Sequence, residues 1–344
     1  MAVASRPGRL ALLVAACGLA GSAGAGEPCA PGTPQLIVYH AGSLSAAFRA
    51  VEALYTQQSG VCVEDHAGGS VDFARKLTAG GLPADLYAGA DHEVIERMLK
   101  PAAYADYSIR FAGGAMVLAY TTNSRNAATI AASAGGFNPP QQIPQAAADW
   151  YAQLTQPGVS IAGSHPFLDP GAYRADMIFQ LAQDHYAVPN LYNDMLAHYS
   201  IGRAAGGLGH AFDYQFTYEH SALAAYKADK SGSYRYVCLP RELSLGDPAL
   251  NARYARRSVT LPGLQTAHAA ATVSIPATRV TWGITVLKAA PNRAHALAFL
   301  QLLFSSQGAA ILSGAGPAPI SPPRVSKEDL ERLPAALKSL VRSE

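Results

Sequence analysis

Two short stretches of the chain each place a serine where an anion would be met. In Gln35–Ser43 (QLIVYHAGS) a β-branched and aromatic run, Leu36–Tyr39, passes through His40-Ala41-Gly42 to Ser43, and LSAAFRAVEALY then carries apolar residues at helical spacing. Val61–Ser70 (VCVEDHAGGS), followed by VDFARKL, repeats the shape. A strand, a small turn, a serine and a helix aim backbone N–H groups and the positive end of a helix dipole at one point. Two such corners on neighbouring parallel strands would form an anion cradle with Ser43 and Ser70 as hydroxyl donors, although both serines also read as plain helix N-caps. Two acids stand in comparable places further on. Asp169 precedes Pro170, the pairing of an N-cap with a proline at the first helical position, and Glu219 opens a helix where an acid stabilises the dipole.

Other chemistries lack their signatures. Ser43 has no second glycine for a Gly-x-Ser-x-Gly nucleophile elbow, and no His/Asp arrangement follows it in a triad's order. Neither a Gly-x-Gly-x-x-Gly nor a Walker A sequence follows the first strand. The ten histidines show no metal-ligand spacing, and His40 and His66, at matching places in the two turns, read as packing or hydrogen-bonding residues. Seventeen tyrosines include no adjacent pair of the kind that would hold ferric iron. With a net charge of +2 and no Lys/Arg run in the body, the chain carries no electrostatic footprint for nucleic acid.

The elements that must position these residues point to two lobes. At 344 residues and 49% hydrophobic composition the chain is long enough for two cores. Arg6 and Arg9, the apolar run Leu10–Ala20 and Ala23-Gly24-Ala25 read as a secretory signal peptide over 1–25, so the expected protein is exported to the periplasm. Val14-Ala15-Ala16-Cys17-Gly18 also fits a lipoprotein signal, which would anchor the chain through Cys17. Export permits a disulfide, and adjacent parallel strands would bring Cys29 and Cys62 together, leaving Cys238 as a buried thiol; three free thiols are the alternative.

Along the chain, strands alternate with helices through Ala115–Tyr120. A Gly/Pro/Gln-rich insert spans 126–150, and a second βα series runs from Val159 to Leu239. Val280–Leu287 reads as a returning strand, NRAHALAFLQLLFSSQG as one amphipathic helix, PAPISPP as a break, and KEDLERLPAALKSLV as a final helix. A chain that leaves one lobe, builds another and returns makes two hinge crossings and a cleft, where ligands bind.

The motifs His40-Ala41-Gly42-Ser43-Leu44, Gly69-Ser70-Val71, Ala84–Asp91, Leu168-Asp169-Pro170 with Tyr173-Arg174, Asp213–Phe216 with Tyr218, Leu239-Pro240, Gly283-Ile284-Thr285 and Gly316–Pro322 occur in this order. In that order they resemble the substrate-binding proteins of tungstate/molybdate ABC transporters, in the archaeal tungstate-binding branch, over roughly residues 35–322. The resemblance implies an α/β, two-lobed periplasmic binding protein fold of type II, each lobe a mostly parallel sheet flanked by helices. Lobe 1 is expected over 34–121 plus 283–344 and lobe 2 over 122–282. It implies a monomeric, non-enzymatic binding protein without a cofactor, which closes on a small oxyanion and delivers it to a membrane permease and its ATPase.

Ser43, Ser70 and Asp169 match the family's hydroxyl and aspartate positions. The family's Tyr-x-Ser-x-Ala pattern has one extra residue here, Tyr218-Glu219-His220-Ser221-Ala222, in which Glu219 is the only acid and so takes the place of the family's glutamate. Asp169 and Glu219 would then bond to the tungsten or molybdenum centre and raise it from four- to six-coordination, a discrimination that sulfate and phosphate cannot answer. Gly89 for a usual serine, Gly171-Ala172 for Cys-Gly and Trp282 for a usual tyrosine are departures from the family pattern. The competing expectations are a binding protein for ferric iron, phosphate, sulfate or an organic anion, and a secreted hydrolase.

Overall fold

The computed structural model describes residues 29–30, 32–132, 136–201, 207–264, 266 and 270–344, so the signal-peptide and Cys17 readings lie outside the described residues. The two opening units form as their patterns require. β1 (Gln35–Ala41), almost wholly buried, passes through a 3-10 turn into α1 (Ser45–Ser59), and β2 (Cys62–Gly68) leads into α2 (Ser70–Gly80). β3 (Leu86–Gly89) leads to Asp91, whose side chain accepts from the Glu93 N–H and caps α3 (His92–Val94); the turn then loosens into a π-helical segment over Ile95–Leu99. β4 (Ile109–Gly113) closes this series.

The chain next builds β5 (Met116–Thr121), α4 (Trp150–Leu154), β6 (Ile161–Gly163), α5 (Pro170–Tyr186), α6 (Leu191–Ala197), β7 (Tyr199–Ile201), β8 (Tyr214–Tyr218), α7 (Glu219–Ala228) and β9 (Tyr234–Cys238). After α8 (Asn251–Tyr254), the antiparallel pair β10 (Ser258–Pro262) and β11 (Thr272–Pro276) precedes β12 (Thr281–Val286). α9 (Arg293–Leu303), α10 (Ser306–Ala315), β13 (Ala318–Val325), α11 (Lys327–Arg332), α12 (Ala335–Lys338) and β14 (Arg342–Ser343) complete the chain.

Two mixed sheets result, each flanked by helices. The first has the order β14-β13-β4-β12-β3-β1-β2 and the second β7-β6-β8-β5-β9. β1 is parallel to both β2 and β3, and β6 to both β7 and β8, as βα units dictate. The strands that carry the chain between lobes run the other way: β12 is antiparallel to β3 and β4, and β5 to β8 and β9. Central strands β5 and β12 are buried along their whole length.

The first crossing falls earlier than 121, because β5 belongs to the second sheet. It runs through Gly113-Gly114, beside the return strand; a Cβ on Gly114 would stand 3.1 Å from the Trp282 ring. The two crossings are hydrogen-bonded to neighbouring backbone, with Gly114 N–H donating to the Val280 carbonyl (3.1 Å) and Val280 N–H to that of Leu245 (2.7 Å).

Cys29 and Cys62 form the expected disulfide, with Cα atoms 5.9 Å apart, and Cys238 is a half-buried free thiol that burial pushes up to about 11. Three local expectations give way. Ser305 caps a new helix, so the single amphipathic helix is two, bent by 71°. All of PAPISPP after Pro317 belongs to β13, whose register against β4 skips between Pro319 and Arg324, a stretch in which three prolines lack the N–H a ladder needs. Pro334 divides the final helix. Among the described residues no single helix is long and apolar enough to cross a membrane.

Candidate functional site

Between the lobes lies a cleft of about 480 Å³. Lobe 1 contributes the corner Ala41-Gly42-Ser43 and Gly68-Gly69; lobe 2 contributes Ser164, Asp169, Tyr199 and the β8 face with Gln215 and Thr217, followed by Ser221. The cleft's polar side chains are mostly neutral hydroxyls and one amide, set among alanines, glycines and aromatic rings. Among the described residues Asp169 is its only acid, and no lysine or arginine lines it.

Ser43 is held from two directions. The Trp282 indole Nε1–H donates to its Oγ (3.0 Å), and His220 Nε2 lies 2.9 Å from its carbonyl oxygen. Burial lowers the His220 pKa, so the neutral ring with Nε2–H donating to the Ser43 carbonyl satisfies this contact. An indole only donates, so Ser43 is fixed as its acceptor and keeps its own O–H for the cleft. Trp282 is fully buried as a core aromatic should be, yet it also orients a cleft hydroxyl. Asp169 is the N-cap of α5: Oδ1 accepts from the Gly171 N–H (2.9 Å) and Oδ2 from the Ser164 hydroxyl (2.8 Å). A carboxylate has about four acceptor positions, so lone pairs remain after these two bonds.

Ser70 and Glu219 stand elsewhere. Ser70 is 1% exposed and its Oγ accepts from the Ala90 N–H (2.9 Å), tying the start of α2 to the end of β3. Gly69 is the actual N-cap, and only glycine fits there, because a Cβ would stand 2.5 Å from the Leu168 carbonyl oxygen of the opposite lobe. That carbonyl also accepts from the N–H groups of Val71 (3.1 Å) and Asp72 (3.2 Å), so the second corner's first-turn donors meet lobe 2 rather than open space. Ser43 is no cap either, as Leu44 precedes α1. Glu219 lines a separate cavity of about 260 Å³ with Tyr236, Pro140 and Pro317, and burial raises its carboxyl above the usual range. The extra residue after Tyr218 thus places the acid away from the cleft.

Behind the cleft the lobes are joined by a buried polar network. Arg174, 1% exposed, donates from Nη1 to the Ala90 carbonyl (2.6 Å) and to the Tyr218 hydroxyl (2.9 Å), and its Nη2 lies 3.3 Å from Asp91 Oδ2. Tyr173 OH donates to the same carboxylate oxygen (2.8 Å). Gln215 enters the sequence motif Asp213–Phe216 without a binding role, and Thr217 enters no motif. The signal was present: in Tyr-Gln-Phe-Thr-Tyr, residues 215 and 217 are half-buried while 214, 216 and 218 are buried, the alternation of a strand with one polar face.

The model of the bacterial extracellular solute-binding protein family matches residues 36–316. An uncharacterized solute-binding protein of Petrotoga mobilis is 29% identical over 327 residues, covering 90% of this chain and 91% of its own. The molybdate/tungstate-binding protein WtpA of Pyrococcus abyssi is 30% identical over 312 residues, 80% of this chain and 82% of its own. Among solved structures, the sulfate-binding protein SubI of Mycobacterium tuberculosis superposes with a TM-score of 0.56 at 18% identity, covering 84% of this chain and 88% of that one.

Proposed function

The chain belongs to the bacterial extracellular solute-binding protein family, binding proteins rather than enzymes, and from that premise we propose that it captures molybdate or tungstate in the interlobe cleft. The observation that carries this reading is one carboxylate, Asp169, facing a wall of neutral hydrogen-bond donors that includes Ser43. For a dianion held only by hydrogen bonds, a carboxylate at 4 Å costs about 8 kcal/mol at an effective dielectric of 20. For molybdenum(VI) or tungsten(VI), hard centres that accept further oxygen donors, the same carboxylate is a ligand. With Glu219 outside the cleft, Asp169 alone raises a tetrahedral centre to five-coordination through one oxygen or six through two. The Pyrococcus relative, named for binding both ions, supports this choice. The two ions have the same charge and nearly the same size, so one donor set serves both.

Lobe closure over the ion, export to the periplasm, action as a monomer, and delivery to a membrane permease driven by an ATPase complete the proposal. Isothermal titration with molybdate, tungstate, sulfate, phosphate and ferric citrate tests it. Saturable heat with the first two and none with the others is expected; tight sulfate binding without molybdate binding would replace the reading with a hydrogen-bonded oxyanion site.

Trp282→Phe keeps an aromatic ring, smaller than the indole, and removes the donor that orients Ser43. Its expected effect is about a tenfold loss of molybdate affinity, the worth of one buried hydrogen bond. Unchanged affinity in the same titration would remove Ser43 from the site.

A further inference from the structure

His40 and Asp65 lie on one face of lobe 1. In the β1–β2 ladder Val38 faces Asp65 and His40 faces Ala67, so the two-residue period puts the His40 and Asp65 side chains on the same side. α1 covers that side, with the Phe48 ring 4.9 Å from the imidazole and Glu52 alongside. One donor atom each from His40, Glu52 and Asp65 lies within 4.8 Å of the other two.

The hydrogen bonding around these atoms is incomplete. His40 is fully buried and its Nδ1 lies 2.8 Å from the Ala41 carbonyl, an acceptor only, so Nδ1 donates and the neutral ring presents a lone pair at Nε2. That nitrogen is 2.6 Å from Asp65 Oδ1 without an aligned hydrogen bond. Glu52, 6% exposed, has no hydrogen-bond partner for Oε1 among the described residues. Three lone-pair-bearing atoms converging in an interior require a proton or a cation between them.

We infer that His40 Nε2, Glu52 and Asp65 form a binding site for one divalent first-row transition ion. One imidazole nitrogen and two carboxylate oxygens are the donor set of zinc, manganese or iron(II) rather than of magnesium. Two carboxylates neutralise the ion's charge, which removes the cost of burying either acid alone. Nδ1–H on a backbone carbonyl is the usual second contact of a ligating histidine and fixes Nε2 toward the ion. Ligands at about 2.0–2.2 Å need donor separations near 3.3 Å in a tetrahedral shell, so the 2.6 Å pair opens by several tenths of an ångström on binding. The Asp65 side chain is 16% exposed and gives the ion a path in and a place for water. The ion would pin β1, β2 and α1 together one residue before the Ala41-Gly42-Ser43 corner, stiffening lobe 1 where it meets the ligand.

The test uses the chain without a polyhistidine tag, stripped by chelation and dialysed against zinc. Metal analysis should give one zinc per chain, and melting should rise by roughly 5 °C at a hundredfold excess over the dissociation constant. Glu52→Gln should abolish both responses while its metal-free form melts no lower than the metal-free parent, since the buried acid is gone. Asp65→Asn, at the more exposed ligand, should likewise lose stoichiometric zinc if the glutamine variant does not fold. A parent that takes up no zinc and shows no shift, or a folded variant that retains the full shift, would overturn the site.

Discussion

Asp169→Asn is expected to weaken molybdate binding by at least about 100-fold, roughly 2.7 kcal/mol, while sulfate, without titration heat in the parent, stays so or gains it. The opposite signs follow from what the carboxylate does. Asparagine keeps the Oδ1 that accepts from the Gly171 N–H, so the cap on α5 survives, and the Ser164 hydroxyl can turn to accept from the new amide. The fold is therefore spared and melting should change by no more than a few degrees. What is lost is an anionic oxygen able to bond to a metal centre. An oxyanion that only accepts hydrogen bonds gains, because a repelling charge becomes a donor. Isothermal titration of parent and variant with both ions reads the two signs. Equal or tighter molybdate binding by the variant would show that Asp169 caps its helix and never meets the metal.

The same residue shows what a local pattern can disclose. Asp-Pro is a cap followed by a first-turn proline, so the chain fixes the backbone around Asp169 without tertiary help, and the side chain's position follows. The β1 corner is legible for a similar reason: a buried β-branched run, a glycine and a helix-period segment leave one way to fold. Ser70 is the counter-example. Gly69 and Ser70 are both acceptable caps, and what decides between them is the Leu168 carbonyl, a contact nearly a hundred residues away and on the other lobe.

Glu219 fails on orientation rather than on secondary structure. It does open a helix, but the direction its side chain takes depends on how α7 seats against β5, β8 and β9, which one residue more or less after Tyr218 changes. Thr217 faces the cleft in its place. The returning strand places Trp282 in the sheet, but a buried indole discloses its hydrogen-bond partner only when the fold brings Ser43 to it. The sequence-level α/β pattern thus locates both lobes, whereas the cleft is assembled from contacts between them.

Arg174→Met is expected to weaken molybdate binding by about 100-fold or more, because it leaves the Asp91 carboxylate buried without its counter-charge. Breaking a buried pair by removing one partner costs about 3–5 kcal/mol, and that penalty falls on whichever step buries the charge. Asp91 sits at the end of β3 in lobe 1 and Arg174 on α5 in lobe 2, so they meet when the lobes come together. Under the proposed closure, Asp91 would be hydrated in the opened molecule and need no partner there, so the cost would fall on closure and hence on affinity, while each lobe's own core is untouched. The ligand-free variant should therefore melt close to the parent, and molybdate should raise its melting temperature far less. Asp91→Asn added to Arg174→Met should recover part of the lost affinity, since asparagine still caps α3 and carries no charge to strand. A variant that melts many degrees lower yet binds molybdate as the parent does would place the Arg174–Asp91 contact in the folding of the resting molecule and take closure out of its role.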